Sequence, residues 1–172
     1  YGNGVAATEV GTSGNDTILG TSGPDVIVGL EGDDEISGMG GDDLICAGPG
    51  DDVVQGNLGN DTLVGELGND RMNGGPGKDL VTGQNGRDRL VGSGGKDRIK
   101  GGGGNDRLWG GLGNDRLFGG LGKDQLVGNR GDDYLVGGRG DDTLEGLLGD
   151  DEADGGMHTD TCKAETTIRC EH

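Results

Sequence analysis

From Gly11 to Lys163 the chain repeats every nine residues, without insertion or deletion, through 17 consecutive units. Such a register constrains the fold more than any local propensity, because every unit must adopt one conformation and pack against its own copies. Aspartate fills position six in all 17 units. Glycine fills position one in 16, with Ala47 the exception, and position four in 16, with His158 the exception. Position eight is apolar or sulfur-bearing throughout, from Ile18 and Ile27 to Ala153 and Cys162.

Without that register the composition would indicate disorder. Only 28% of the chain is hydrophobic and 2% aromatic, with 44 glycines in 172 residues, which is little apolar surface to set against chain entropy. The net charge of -18 also becomes local: removing the 17 repeat aspartates from 32 acidic residues leaves 15, against 14 lysines and arginines. The acidity therefore belongs to one structural column rather than to a generally solvated surface.

Glycines at positions one and four permit tight reversals, and the three residues after each aspartate have room for one short strand. One unit carries the chain across and turns it back, so two units close a coil. The predicted fold is an all-β solenoid whose coils stack as parallel strands about 4.8 Å apart. Position eight points inward between two thin sheets, while positions seven and nine point outward.

Stacking sorts the aspartates onto two edges. Asp16, Asp34, Asp52, Asp70, Asp88, Asp106, Asp124, Asp142 and Asp160 share one, and Asp25, Asp43, Asp61, Asp79, Asp97, Asp115, Asp133 and Asp151 share the other. Carboxylates about 5 Å apart repel by about 3 kcal/mol at an effective dielectric near 20, so a cation is expected between them. Calcium suits the edges: it takes about six to eight oxygen ligands in flexible geometry, and glycine turns expose carbonyls beside each carboxylate. Magnesium is less suited to crowded protein cages, and zinc wants His or Cys that the turns lack. About 15 sandwiched sites are expected between neighbouring coils. Phosphate binding by the glycine turns is disfavoured by an aspartate in every turn and by the absence of a βαβ pattern.

The phrases GGPGKDLVT, GGGGNDRLW, GGLGNDRLF and GGRGDDTLE resemble the repeats-in-toxin (RTX), or haemolysin-type, calcium-binding nonapeptide GGxGxDxUx. The resemblance implies a parallel β-roll with two nonapeptides per coil, calcium held between successive turns by the position-six aspartates and turn carbonyls, and secretion from a bacterium. Position two departs from the pattern, being glycine in seven units only and Leu30, Met39, Glu66 or Leu147 among the others. That departure puts individual sites in question. The small inward side chains do not offset the ordering of so glycine-rich a chain, so calcium is expected to drive folding.

Three segments follow: residues 1–10 as a lead-in or cap strand, 11–163 as the roll, and 164–172 as a C-terminal cap. The last unit, GGMHTDTCK, decays, and the tail AETTIRCEH offers a β-prone stretch. A Cys162–Cys170 disulfide would pin that stretch over the final coil and suits an oxidising compartment. A zinc site from His158, Cys162, Cys170 and His172 is the alternative, although its spacing matches no familiar motif. Cys46 is left over as a free thiol or an intermolecular link.

No stretch is long enough to span a membrane. Arginines at position seven in mid-chain form a basic patch, and solvated ion pairing with the interleaved aspartates is expected there rather than nucleic-acid binding. At position nine, Val91, Trp109 and Val127 fall on one face and Phe118 and Val136 on the other, a pattern compatible with lateral packing of copies. With two histidines and no Ser/His/Asp, Cys/His or HExxH arrangement, enzymatic activity has no support. Two functions remain: a secreted structural protein, either a rigid calcium-stiffened rod or a subunit that self-associates into extracellular fibres, or the calcium-triggered folding module of a larger toxin, adhesin or hydrolase.

Overall fold

The computed structural model describes residues 8–164 and the backbone of 167–169. Its strands, numbered in chain order, alternate between two sheets. Odd-numbered strands, from β1 (Glu9–Val10) to β19 (Thr167–Arg169), form a ten-stranded sheet; even-numbered strands, from β2 (Thr17–Leu19) to β18 (Thr161–Lys163), form a nine-stranded one. Every pairing is parallel and joins residues 18 apart, as in Met72↔Leu90↔Leu108, except the last, where Ala153↔Ile168 and its neighbours are 15 apart. The chain is thus an all-β parallel solenoid with two nonapeptides per coil. No helix among the described residues is long and apolar enough to cross a membrane.

The core is a file of position-eight side chains. Ile27, Ile36, Ile45, Val54, Leu63 and Met72 lead into Val81, Leu90, Ile99 and the leucines from Leu108 to Leu144, all almost fully buried. Ile18 and Cys162, at the two ends, are only half-buried against it. Positions seven and nine face outward because successive side chains alternate across a strand.

Pairing extends beyond the expected three residues. From β7 (Thr62–Leu67) to β17 (Glu152–Met157) the strands run six or seven residues, since positions two and three rejoin the ladder, as in Ser93↔Gly111 and Gly94↔Leu112. The buried glycine at position one is skipped. Left-handed backbone at position two redirects the chain there, with φ 117° at Gly111.

A second set of contacts binds coil to coil at position five. Asn60 Oδ1 accepts the backbone N–H of Lys78 at 3.0 Å, and Asp51 Oδ1 that of Asn69 at 2.7 Å. These exposed side chains replace ladder bonds in turns where strands cannot pair. Segment 1–10 contributes β1, which pairs with β3 (Val26–Val28) through Glu9↔Ile27.

Candidate metal centre

Each turn delivers its aspartate to the interior of an edge. Gly113, at position four, has φ 122°, a conformation that L side chains resist; a Cβ there would stand 1.5 Å from Gly95 O of the preceding coil. Only glycine lets the turns close so tightly. The aspartate that follows is consequently buried, with Asp52, Asp124 and Asp151 fully enclosed.

The two predicted edges are present as two hydrogen-bonded files. On one, Asp16 N–H donates to Asp34 Oδ1 at 2.8 Å, Asp34 to Asp52 at 2.8 Å, and so on to Asp142 and Asp160 at 2.9 Å. On the other, Asp25 donates to Asp43 at 2.8 Å, and the series ends with Asp133 and Asp151 at 3.0 Å. In all 15 acceptors, from Asp34 to Asp160, the second carboxylate oxygen, Oδ2, is buried without a hydrogen-bond partner. A buried anionic oxygen without a partner is costly, and here the same orphan recurs coil after coil.

At nine of these turns a second oxygen converges on the orphan. A Cβ built on Gly110 would fall 2.5 Å from Asp115 Oδ2 and 2.7 Å from the carbonyl oxygen of Gly128, one coil further on. Gly101 has the same relation to Asp106 Oδ2 and Gly119 O, at 2.4 and 2.6 Å. Glycine at position one therefore leaves an oxygen-lined cradle that any side chain would fill. Ala47 alone replaces it, and is itself fully buried.

Electrostatics record the strain. Burial pushes Asp52 up to about 6, and Asp70, Asp79, Asp106 and Asp133 up to about 7, against the opposing pull of the donated N–H. Neighbouring carboxylates along the file add to the rise, Asp88 and Asp52 acting on Asp70. Each of these groups holds its charge reluctantly unless a cation stands by.

Asp16 and Asp25, expected as ligands on the same footing, differ. Thr12 donates its backbone N–H at 2.6 Å and its hydroxyl at 2.9 Å to Asp16 Oδ2, and Thr21 does the same to Asp25 Oδ2 at 2.6 and 3.0 Å. The Thr21 backbone N–H holds Asp25 below the usual carboxylate range in spite of burial, with the Thr21 and Thr8 hydroxyls assisting. Their second carboxylate oxygen is hydrogen-bonded, where that of the other fifteen has no partner. Threonine four residues before the aspartate is the sequence signal that marks them.

Among the described residues no three His, Cys, Asp or Glu side chains gather at one point. A cation at these edges would therefore draw on carboxylate and carbonyl oxygens together, the donor set of a hard ion such as calcium rather than of zinc. His158 takes left-handed backbone with φ 101° in the exposed last turn. Cys170 and His172 lie outside the described residues, and with them the expected Cys162–Cys170 bridge. Cys46 is a free, half-buried thiol, its pKa raised by burial and by Glu66.

Residues 10–45, 47–81, 82–117 and 118–153 each match the family model of the RTX calcium-binding nonapeptide repeat. No curated protein matches the chain.

Proposed function

Since the chain belongs to the RTX calcium-binding nonapeptide repeat family, we propose that it is a secreted structural protein whose β-roll forms when calcium binds between its coils. The 15 partnerless Oδ2 atoms of Asp34, Asp43, Asp52, Asp61, Asp70, Asp79, Asp88, Asp97, Asp106, Asp115, Asp124, Asp133, Asp142, Asp151 and Asp160 carry this reading. Those carboxylates other than Asp52, whose cradle the Ala47 methyl fills, would hold the ions with turn carbonyls such as that of Gly128. Bound calcium supplies the positive charge that lets adjacent carboxylates stay ionised and ties one coil to the next.

Asp16 and Asp25 fall outside the set, their turns being closed by threonine. Folding is then linked to calcium by mass action, and at the affinities of extracellular modules, about 10⁻⁴ to 10⁻³ M, the chain stays open in cytosol and closes outside. Its role is mechanical rather than catalytic.

Far-ultraviolet circular dichroism during a calcium titration from excess chelator tests this. A cooperative gain of β signal with calcium, and a much weaker response to magnesium, is expected. Full β signal in chelator would sink the proposal.

A further inference from the structure

On the outer face of the nine-stranded sheet, three arginines stand in file. Arg71, Arg89 and Arg107 open β8 (Arg71–Gly77), β10 (Arg89–Gly95) and β12 (Arg107–Leu112) and pair in register, so their exposed side chains repeat at strand spacing, about 4.8 Å. Like charges set opposite one another across strands are destabilising. Expected from sequence to be neutralised by the interleaved aspartates, these arginines make no ion pair among the described residues. The repeat aspartates are buried in the turns and out of reach.

No acid stands beside the file at positions seven or nine of the adjacent strands, the nearest there in register being Glu35 and Glu145, two strands away. Val53 precedes it and Gln125 follows at position seven, and the accompanying position-nine residues are Gln55, Asn73, Val91, Trp109 and Val127. A shallow cleft of about 290 Å³ runs beside Arg71 and Arg89, lined also by Gln55, Asn73 and Val91. The Arg89 guanidinium lies 4.8 Å from the centre of the Trp109 ring, a stacking that orients the group while leaving its edge donors free.

Charge along the chain is segregated in the same sense. Residues 1–70 hold 14 acidic residues and no lysine or arginine, whereas 71–139 hold 12 basic residues against eight acidic. Seven of those eight are repeat aspartates of the buried files.

We propose that the face formed by β8, β10 and β12 is a docking surface for a linear anionic polysaccharide, laid across the strands with one acidic group to each arginine and a sugar face against Trp109. The chemistry favours this partner. Guanidinium edges bind sulfate-like and carboxylate groups through paired donors, and a row of one charge per strand suits a sparsely charged polymer. Duplex DNA carries one charge per about 1.7 Å, and single-stranded nucleic acid wants a groove with several stacking platforms; this face offers one shallow cleft and one tryptophan. The inference rests on the calcium-folded roll proposed above.

Trp109 is the sole tryptophan, so its fluorescence reports directly on the face. The chain in millimolar calcium would be titrated with dextran sulfate, with neutral dextran of equal length and with single-stranded DNA, recording β circular dichroism on the same samples. Dextran sulfate is expected to change Trp109 emission with an affinity that falls as salt rises, and neutral dextran to leave it unchanged. The variant Arg71→Gln/Arg89→Gln/Arg107→Gln should weaken binding by about tenfold or more with its calcium-induced β signal intact. Arg98→Gln/Arg116→Gln, on the other sheet, should leave the Trp109 response alone. Equal binding by the triple variant, equal binding of neutral dextran, or tighter binding of DNA overturns the proposal. A folded roll blind to the polymer overturns the surface alone; a chain without β signal in calcium overturns the folding reading as well.

Discussion

Thr21 and Ser93 occupy the same place in their units, yet they do different things. Thr21 turns both its N–H and its hydroxyl onto Asp25; Ser93 adopts φ 85° and directs its hydroxyl to Asn73 at 2.7 Å, leaving Asp97 Oδ2 without a partner. A β-branched side chain resists left-handed backbone more strongly than serine does. Thr12 and Thr21 therefore stay out of it, and Gly14 and Gly23 likewise take no positive φ. The first two turns satisfy their aspartate internally. The fifteen that follow leave the aspartate Oδ2 buried without a hydrogen-bond partner.

The largest expected effect would come from removing calcium. At neutral pH in excess chelator, amides beyond Gly32 should exchange hydrogen fast and the β signal should collapse. Retention of protection in that region would erase the contrast between the two kinds of turn.

Adding one methyl group should separate them next. Gly113→Ala forces a Cβ to within 1.5 Å of Gly95 O at φ 122° and is expected to cost about 1–3 kcal/mol or more. At Gly14, where the nearest atom is 3.9 Å away, alanine should be neutral or stabilise by about 0.4–1 kcal/mol. Urea melts in calcium would compare the two.

Equilibrium dialysis sharpens the difference in metal content. Asp115→Asn should lower the calcium bound per molecule, while Asp16→Asn should leave it unchanged. Equal losses would place Asp16 among the ligands after all.

Acid should act oppositely on the two classes. Asp70, Asp79, Asp106 and Asp133 are raised to about 7 from an ordinary 3.8, so their protonated forms favour the folded state. Their contribution to the metal-free roll is fully present below the ordinary value and is lost as pH rises through about 7. Asp25 is lowered; its contribution is present above the ordinary value and lost as pH falls through its own pKa. In chelator, then, β circular dichroism should grow as the solution is taken from neutral toward pH 4 or so, and a flat profile would contradict the burial-driven rise. Smallest of all, Thr21→Val deletes the 3.0 Å hydroxyl contact but keeps the 2.6 Å N–H, and should cost about 1 kcal/mol in a thermal melt.

Much of this was legible in the chain itself. A fixed period with aspartate at six and an apolar residue at eight dictates two sheets, an inward file and two acidic edges, and all three are present. Position two keeps its left-handed backbone at these departures from glycine: Leu30, Glu66 and Leu147 take φ between 82° and 87°, and Met39 75°. Their aspartates keep the orphaned oxygen. The departure that mattered was threonine, whose effect depends on backbone strain and on a hydroxyl reaching four residues along, neither of which a match to glycine measures. Strand length was also misjudged, because glycine-rich positions two and three carry no propensity of their own and pair only because the neighbouring coil offers them a partner.

The eighteen-residue register has a consequence for how such a chain varies through descent. A duplication or loss of 18 residues lengthens or shortens the rod and returns every later side chain to its own face, since paired residues such as Leu90 and Leu108 differ by that number. A change of nine keeps the local pattern but transposes the two faces from that point onward, carrying downstream residues such as Trp109 across to the sheet of Phe118. Rod length can drift freely in steps of a whole coil, while half-steps rewrite the surface.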